Sequence, residues 1–199
     1  MKFNIKPTYL CIVVASACFS TQVLAAKTIL AGGCFWCVES DFEKLEGVSE
    51  AISGFTGGTS TNPTYRGDHK GHYEAVEITY DPAVITYQEI LDYYWLSIDP
   101  FDELGQFCDK GESYRSAIFV DNDEQRALAE ASKSKVQARF PNETVATVIL
   151  DSTEFYPIKG DEAYHQDYYK NYPLRYATYR WRCGRDKRTR EIWGEDAIH

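Results

Sequence analysis

Two cysteines three residues apart, Cys34 and Cys37, lie in the run Gly32-Gly33-Cys34-Phe35-Trp36-Cys37, between a short apolar stretch and a helical pattern. A sulfur at a strand-to-helix junction sits near free backbone N–H groups and the positive end of the helix dipole. That position is expected to lower the Cys34 pKa and populate its nucleophilic thiolate. The glycines leave room for another molecule to approach, and Phe35 and Trp36 offer an apolar, aromatic surface beside the sulfur. By spacing alone, C-x-x-C has three readings: dithiol redox chemistry, half of a zinc site, or two buried core cysteines. Zinc would need two more ligands, yet Cys108 and Cys183 stand singly and His165 has no second histidine three to five residues away.

The elements that must position these residues follow from periodicity. Lys27–Ala31 fits a strand, and Phe35, Val38, Phe42 and Leu45 recur at helical spacings until Gly47. Val48–Gly54 reads as a second strand. The next 19 residues, Gly54–His72, are rich in Gly, Thr, Asn and Pro, longer than a plain connection and therefore read as a functional loop. Glu74–Tyr80 alternates, with Val76, Ile78 and Tyr80 on one face, which predicts a half-buried strand ended by Asp81-Pro82. Thr86-Tyr87-Gln88-Glu89 has capping-box spacing and opens a helix to about Ser97. After a second loop, Asp99–Ser113, come a strand at Tyr114–Val120, a helix from Asn122 to Phe140 closed by Pro141, a strand at Val145–Leu150 and a helical stretch at Asp161–Asn171. The leading order β-α-β-β-α-β predicts an α/β (α+β) two-layer sandwich with a ferredoxin-like core, a mixed and mostly antiparallel sheet, and an irregular tail from about residue 173.

Composition sets the class. The 199 residues carry 30 acidic and 21 basic side chains, a net charge of −9, which argues against a general nucleic-acid binder. Met1–Ala25 reads as a secretory signal peptide: Lys2 and Lys6 precede the apolar run Leu10–Ala15, and Val23-Leu24-Ala25 suits cleavage. That run is too short to span a bilayer, so residues 26–199 are expected to form one exported, periplasmic catalytic domain, monomeric and without stable membrane insertion. Cleavage would leave Cys34, Cys37, Cys108 and Cys183 in a compartment where thiols meet oxidants. It would also remove the single methionine, and with it one kind of oxidative damage. Arg175–Arg190 holds seven basic side chains and one acidic, read as a solvated segment against an acidic body.

Gly-Cys-Phe-Trp at 33–36 resembles the active-site signature of the A-type peptide methionine sulfoxide reductases. Gly-Phe-Thr-Gly-Gly at 54–58, Asn-Pro-Thr-Tyr at 62–65, Gly-His-Tyr-Glu-Ala-Val at 71–76, Tyr-Arg-Ser-Ala-Ile at 114–118, Phe-Tyr-Pro at 155–157 and Tyr-His-Gln-Asp-Tyr at 164–168 follow in the family's order. The resemblance implies that Cys34 attacks the sulfoxide sulfur and that Glu74 protonates the departing oxygen. A poor oxide leaving group needs that proton, and a carboxyl in an apolar pocket can hold it. It further implies that Tyr65 and Tyr114 hydrogen-bond the same oxygen, that Phe35 and Trp36 receive the methyl group, and that Asp109 helps to orient the substrate. The resulting Cys34 sulfenic acid condenses with a second thiol: Cys183, which resembles the family's recycling cysteine, then Cys37, with Cys108 a third party or plain packing. No bound cofactor or metal is expected. The partners are methionine sulfoxide, free or in oxidised proteins, and an external thioredoxin-like dithiol reductant. The region between Tyr65 and Glu74 looks shorter than in many relatives, and Phe55 replaces a frequent tyrosine. The competing readings are a general C-x-x-C thiol–disulfide oxidoreductase and a zinc- or polyanion-binding module.

Overall fold

A computed structural model describes residues 24–199 of the chain. The expected signal peptide, apart from Leu24 and Ala25, lies outside the described residues. In order, the elements are β1 (Ala26–Gly32), α1 (Phe35–Phe42), β2 (Val48–Thr56), β3 (Tyr73–Tyr80), α2 (Tyr87–Ser97), β4 (Gly105–Gln106), β5 (Asp109–Lys110), β6 (Ser116–Val120), α3 (Asp123–Arg139), β7 (Val148–Asp151), β8 (Tyr156–Pro157), α4 (Tyr168–Asn171), α5 (Pro173–Cys183) and α6 (Arg185–Trp193). Six strands form one sheet in the order β7-β6-β1-β3-β2-β8, while β4 and β5 make a separate hairpin. Every pairing in the large sheet is antiparallel except β6 with β7. The architecture is therefore mixed α/β with a mainly antiparallel sheet. Among the described residues, no helix is long and apolar enough to cross a membrane.

Alternation along the strands divides the core. Leu30, Val76, Ile78 and Ile118 face the larger cluster, with Phe35, Val38 and Phe42 of α1 and Ile90, Leu91 and Tyr94 of α2. Ile29, Ala31, Tyr73, Ala75, Ala117 and Phe119 form a second cluster on the other face. Strand β3 is thus covered on both sides rather than half-buried, because it pairs with β1 and β2 in the middle of the sheet. Glu74 has the parity of Val76 and Ile78, so its strand aims it toward the side that α1 covers. The Thr86/Glu89 capping box at the start of α2 is formed in both directions.

Three further expectations are corrected. The stretch Asp161–Asn171 is not one helix: a 3-10 segment at Gly160–His165 is separated from α4 by Asp167 in the left-handed region, φ 52°. Side chains compete for the backbone there. Gln166 bonds to the amide and carbonyl of Ser53, and the Asp167 N–H donates to Glu39. The tail is not irregular either. Proline at the first position opens α5 and Gly184, φ 72°, ends it, so two helices fold back over α1. Nor is its charge simply solvated, since Arg180 and Arg185 are buried beside Asp41.

Candidate active site

Cys34 is the N-cap residue of α1, and Cys37 lies in its first turn. The amide of Cys37 donates to the Cys34 carbonyl at 3.0 Å, closing that turn. Both thiols are buried and free, with 7 % and 1 % of their surfaces exposed. The two glycines before them serve packing rather than access. Gly33 has φ +84°, and a Cβ there would lie 2.5 Å from the Gln106 Cβ. The Gln106 side chain in turn bonds to the amide and carbonyl of Asp99. Gly33→Ala is therefore expected to destabilise the fold by about 1–3 kcal/mol through backbone strain and this clash; thermal unfolding measures it, and an unchanged Tm would refute the packing account.

Next to the sulfur stands the carboxyl of Glu74, 2 % exposed, accepting the Phe35 N–H at 3.1 Å. Burial raises its pKa to about 8; the nearby Asp109 and Cys37 add to the shift, and the Phe35 amide opposes it. Glu74 is thus largely protonated at neutral pH and able to donate. Tyr114 hydrogen-bonds with it. Burial, followed by the proximity of Glu74, pushes Tyr65 up to about 12 and Tyr114 up as well, so both phenols keep their protons. Tyr65 comes from the long loop after β2. That loop is pinned by Glu162, which accepts the Tyr65 and Arg66 amides at 2.7 and 2.8 Å.

The thiols depart from the expected electrostatics. Burial, a hydrogen bond to Cys37 and the charge of Glu74 push Cys34 upward despite its position at the helix N-terminus. Cys37 is instead the lowered member, through the hydrogen bond from Cys34 and the charges of Arg185 and Arg180. Before substrate arrives, Cys34 holds its proton and donates it in a hydrogen bond to the Cys37 sulfur.

Phe35 is fully buried and packs edge-on to Phe55 at 6.0 Å. Trp36 is half-buried, stacks on Tyr168 at 3.7 Å, and meets Tyr179 edge-on at 5.6 Å. Its indole donates to Nδ1 of His165 at 3.0 Å. Burial lowers the pKa of His165 to about 4, so the ring is neutral and its Nδ1 is a fixed acceptor. His165 also lies 4.0 Å from the Tyr65 ring, centroid to centroid, tying the aromatic wall to the loop after β2.

Asp109 and Cys183 reach the same place from another side. Tyr179 of α5, absent from the sequence-derived set, hydrogen-bonds Asp109 and the Cys34 sulfur. Cys183, one helical turn further on, is not free to resolve Cys34 in this structure: it is disulfide-bonded to Cys108, with the Cα atoms 4.8 Å apart. The cause is topological, since the β4–β5 hairpin sets Cys108 against the end of α5. Of the two thiols expected as resolving partners, Cys37 alone stands reduced beside Cys34. Two groups have metal-like donor spacing among the described residues, Cys108/Asp109/Cys183 and Glu39/Glu43/Asp167. The first has its sulfurs in a disulfide, and the second is already neutralised in part by Lys170.

The structure thus gathers Cys34, Cys37, Glu74, Tyr65, Tyr114, Phe35, Trp36 and Asp109 around one end of α1. Comparison with known proteins identifies the family. The family model described as peptide methionine sulfoxide reductase matches residues 26–197. The peptide methionine sulfoxide reductase MsrA of Bacillus licheniformis is 48% identical over 168 residues, covering 82% of this chain and 91% of that protein. Among solved structures, methionine sulfoxide reductase A of Corynebacterium diphtheriae superposes with a TM-score of 0.66 at 30% identity, covering 78% of each chain. Mxr1 from Saccharomyces cerevisiae, solved in complex with Trx2, shares the fold at a TM-score of 0.52 and 22% identity, over 78% of this chain and 92% of that one. With a family match that runs through every element described here and a relative nearly half identical across most of both chains, the chain belongs to the peptide methionine sulfoxide reductase family.

Proposed function

We propose that the protein reduces the S epimer of methionine sulfoxide, free or within proteins, to methionine, and takes its electrons from a thioredoxin-like dithiol protein. The observation that carries this reading is the buried carboxyl of Glu74, held on the first amide of α1 beside the Cys34 sulfur, where burial favours its protonated form. The substrate methyl group lies against Trp36 and the edge of Phe35, with its oxygen toward Glu74, Tyr65 and Tyr114. Cys34 attacks the sulfoxide sulfur while Glu74 protonates the oxygen as the S–O bond breaks, and the proton lost from the Cys34 thiol restores the Glu74 carboxyl. In the net step one oxygen moves from the substrate sulfur, reduced by two electrons, to the Cys34 sulfur, oxidised by two. Methionine leaves, and Cys34 remains as a sulfenic acid. A neighbouring thiol then forms a disulfide with it and releases water.

Cys37, one turn away and reduced, replaces Cys183 as the first candidate for that thiol. A general thiol–disulfide oxidoreductase would use the same two cysteines, but it has no task for a buried protonated carboxyl flanked by two phenols. The leader read at Met1–Ala25 supports an exported, periplasmic site of action, where protein methionine meets oxidants directly.

The test uses the Cys37→Ser/Cys183→Ser double variant, which lacks both candidate resolving thiols. One equivalent of methionine from N-acetyl-methionine S-sulfoxide is expected without reductant, with a sulfenic-acid trap mapped by mass spectrometry to Cys34. Methionine formed with no label on Cys34, or no methionine at all, would sink the assignment.

A further inference from the structure

We infer that Arg185 is a positioning residue for the second half of the reaction: its buried guanidinium, with donor atoms to spare at the turn into α1, is the counter-charge for a Cys37 thiolate that attacks the Cys34 sulfenic acid. This rests on the reading of Cys37 as the resolving thiol. Arg185 is the largest of the fully buried side chains, 2% exposed. Its Nη1 donates to the Gly32 carbonyl at 3.1 Å. A Cβ placed on Gly32 or Gly33 would lie 3.7 or 3.8 Å from its terminal nitrogens, and the Phe107 ring covers it at 4.6 Å. The guanidinium is therefore packed directly against the backbone that leads from β1 into Cys34.

That is an unfavourable place for a cation unless an anion forms there. The N-terminus of α1 already presents the positive end of its dipole. Among the described residues, Nε and Nη2 of Arg185 have no hydrogen-bond partner, although buried polar groups are nearly always paired. The Asp41 carboxylate stands 3.9 Å away and is already engaged by shorter contacts, Arg180 at 2.7 Å and the His199 ring at 2.9 Å. A guanidinium stays charged at every working pH, so the positive charge of Arg185 is incompletely compensated.

The groups that act on Cys37 narrow the choice of anion. Cys34 and Asp41 come from α1, Glu74 from β3, and Tyr176, Tyr179 and Arg180 from α5. Burial keeps the protons on both phenols and favours the protonated form of Glu74. Arg180 and Asp41 are a direct ion pair and act on Cys37 with opposite signs. What then favours an ionised Cys37, against its burial, is the hydrogen bond from Cys34 and, after it, the charge of Arg185. Oxidation of Cys34 removes that S–H donor and leaves Arg185. In the step itself, the electron pair of the Cys37 thiolate forms the S–S bond as the S–O bond of the sulfenic acid breaks. The departing hydroxide takes up one proton and leaves as water, and no outside oxidant or reductant enters.

The test uses the Cys108→Ser/Cys183→Ser chain, in which Cys34 and Cys37 are the only thiols among the described residues. After one turnover with N-acetyl-methionine S-sulfoxide, formation of the Cys34–Cys37 disulfide is followed across pH by rapid quench, alkylation and peptide mapping. With Arg185 present, the step should titrate with a midpoint below the ordinary thiol value of about 8.5. Arg185→Met should raise that midpoint by about one unit or more. At neutral pH the step then slows by about tenfold, because only the thiolate attacks, while methionine formation, the earlier step, is slowed far less. Arg185→Lys keeps the charge and should keep the midpoint. A midpoint at or above about 8.5 with Arg185 present, or an unmoved midpoint with both half-reactions slowed alike in Arg185→Met, overturns the role of Arg185. Where the methionine variant does not fold, the first of these results and a raised midpoint in Arg185→Lys still decide against it. Cys34 left open to a sulfenic-acid trap, with no disulfide to Cys37 at any pH, would defeat the reading of Cys37 itself and the role of Arg185 with it.

Discussion

Glu74→Gln is expected to lower kcat/KM for methionine sulfoxide by about 10³-fold, within the 10²–10⁴ range for loss of a general acid, while leaving the protein folded. Glutamine keeps an oxygen to accept the Phe35 amide, so α1 and the position of Cys34 are retained, but it has no proton to give. The pH dependence carries the sharper prediction. With its pKa near 8, Glu74 is active as the acid below that value, so wild-type kcat/KM should fall as pH rises through about 8. In the variant that falling limb disappears, and activity only climbs with pH as Cys34 ionises. A wild-type falling limb that survives the substitution would remove Glu74 from the chemistry. Stability should move the other way. A carboxyl raised from 4.5 to about 8 by burial favours the fold at low pH and weakens it as pH rises between those values, where the unfolded chain ionises more readily. At pH 7, Glu74→Gln is therefore expected to have the higher Tm, the balance found where a site holds a group in an unfavourable state for the sake of reaction.

How much of this was legible in the sequence depended on whether the deciding contact was local. The βαββ order, the capping box at Thr86 and the reactive run at Cys34 are written in neighbouring residues. Glu74 lay within reach as well: its parity with Val76, Ile78 and Tyr80 already places it on the apolar face of β3, where a carboxyl must be neutral or paired. Periodicity alone does not say which helix covers that face. The pKa order of the two cysteines was not legible, because it is set by burial and by Arg180 and Arg185, more than 140 residues downstream. Tyr179 and the pairing of Cys108 with Cys183 were hidden for the same reason. Four cysteines allow three pairings, and only the fold of α5 against the β4–β5 hairpin selects one. The tail carried local signals, Pro173 and Gly184, but its high charge outweighed them in a reading that assumed charges stay in water.

The buried charges of the tail lead to the second large effect. Asp41, fully buried near the end of α1, accepts Arg180 at 2.7 and 3.3 Å and lies 2.9 Å from the His199 ring and 3.9 Å from Arg185. These contacts fasten α5 and α6 to the helix that carries the cysteines, and so hold Tyr179 over Cys34. Burial alone would raise the Asp41 pKa, but the His199 hydrogen bond and the charges of Arg180 and Arg185 prevail and hold it below its ordinary value. Asp41→Asn keeps the shape and strands two buried guanidinium groups; only Arg180 retains another carboxylate, Asp186. Removing one partner of such a pair costs about 3–5 kcal/mol, which for a chain of this size lowers Tm by on the order of 10 °C. The sign with pH follows from the depressed carboxyl: its contribution is complete above the unfolded value near 4 and disappears as pH falls through the lower folded value. Wild type and variant should therefore differ most at neutral pH and converge in acid, as read by urea unfolding across that range. A difference that stays constant down to the most acid pH measured would show that the substituted amide disturbs packing rather than charge. A Tm unchanged at neutral pH, against the roughly 10 °C loss expected, would show that the tail is held to α1 by its apolar contacts alone.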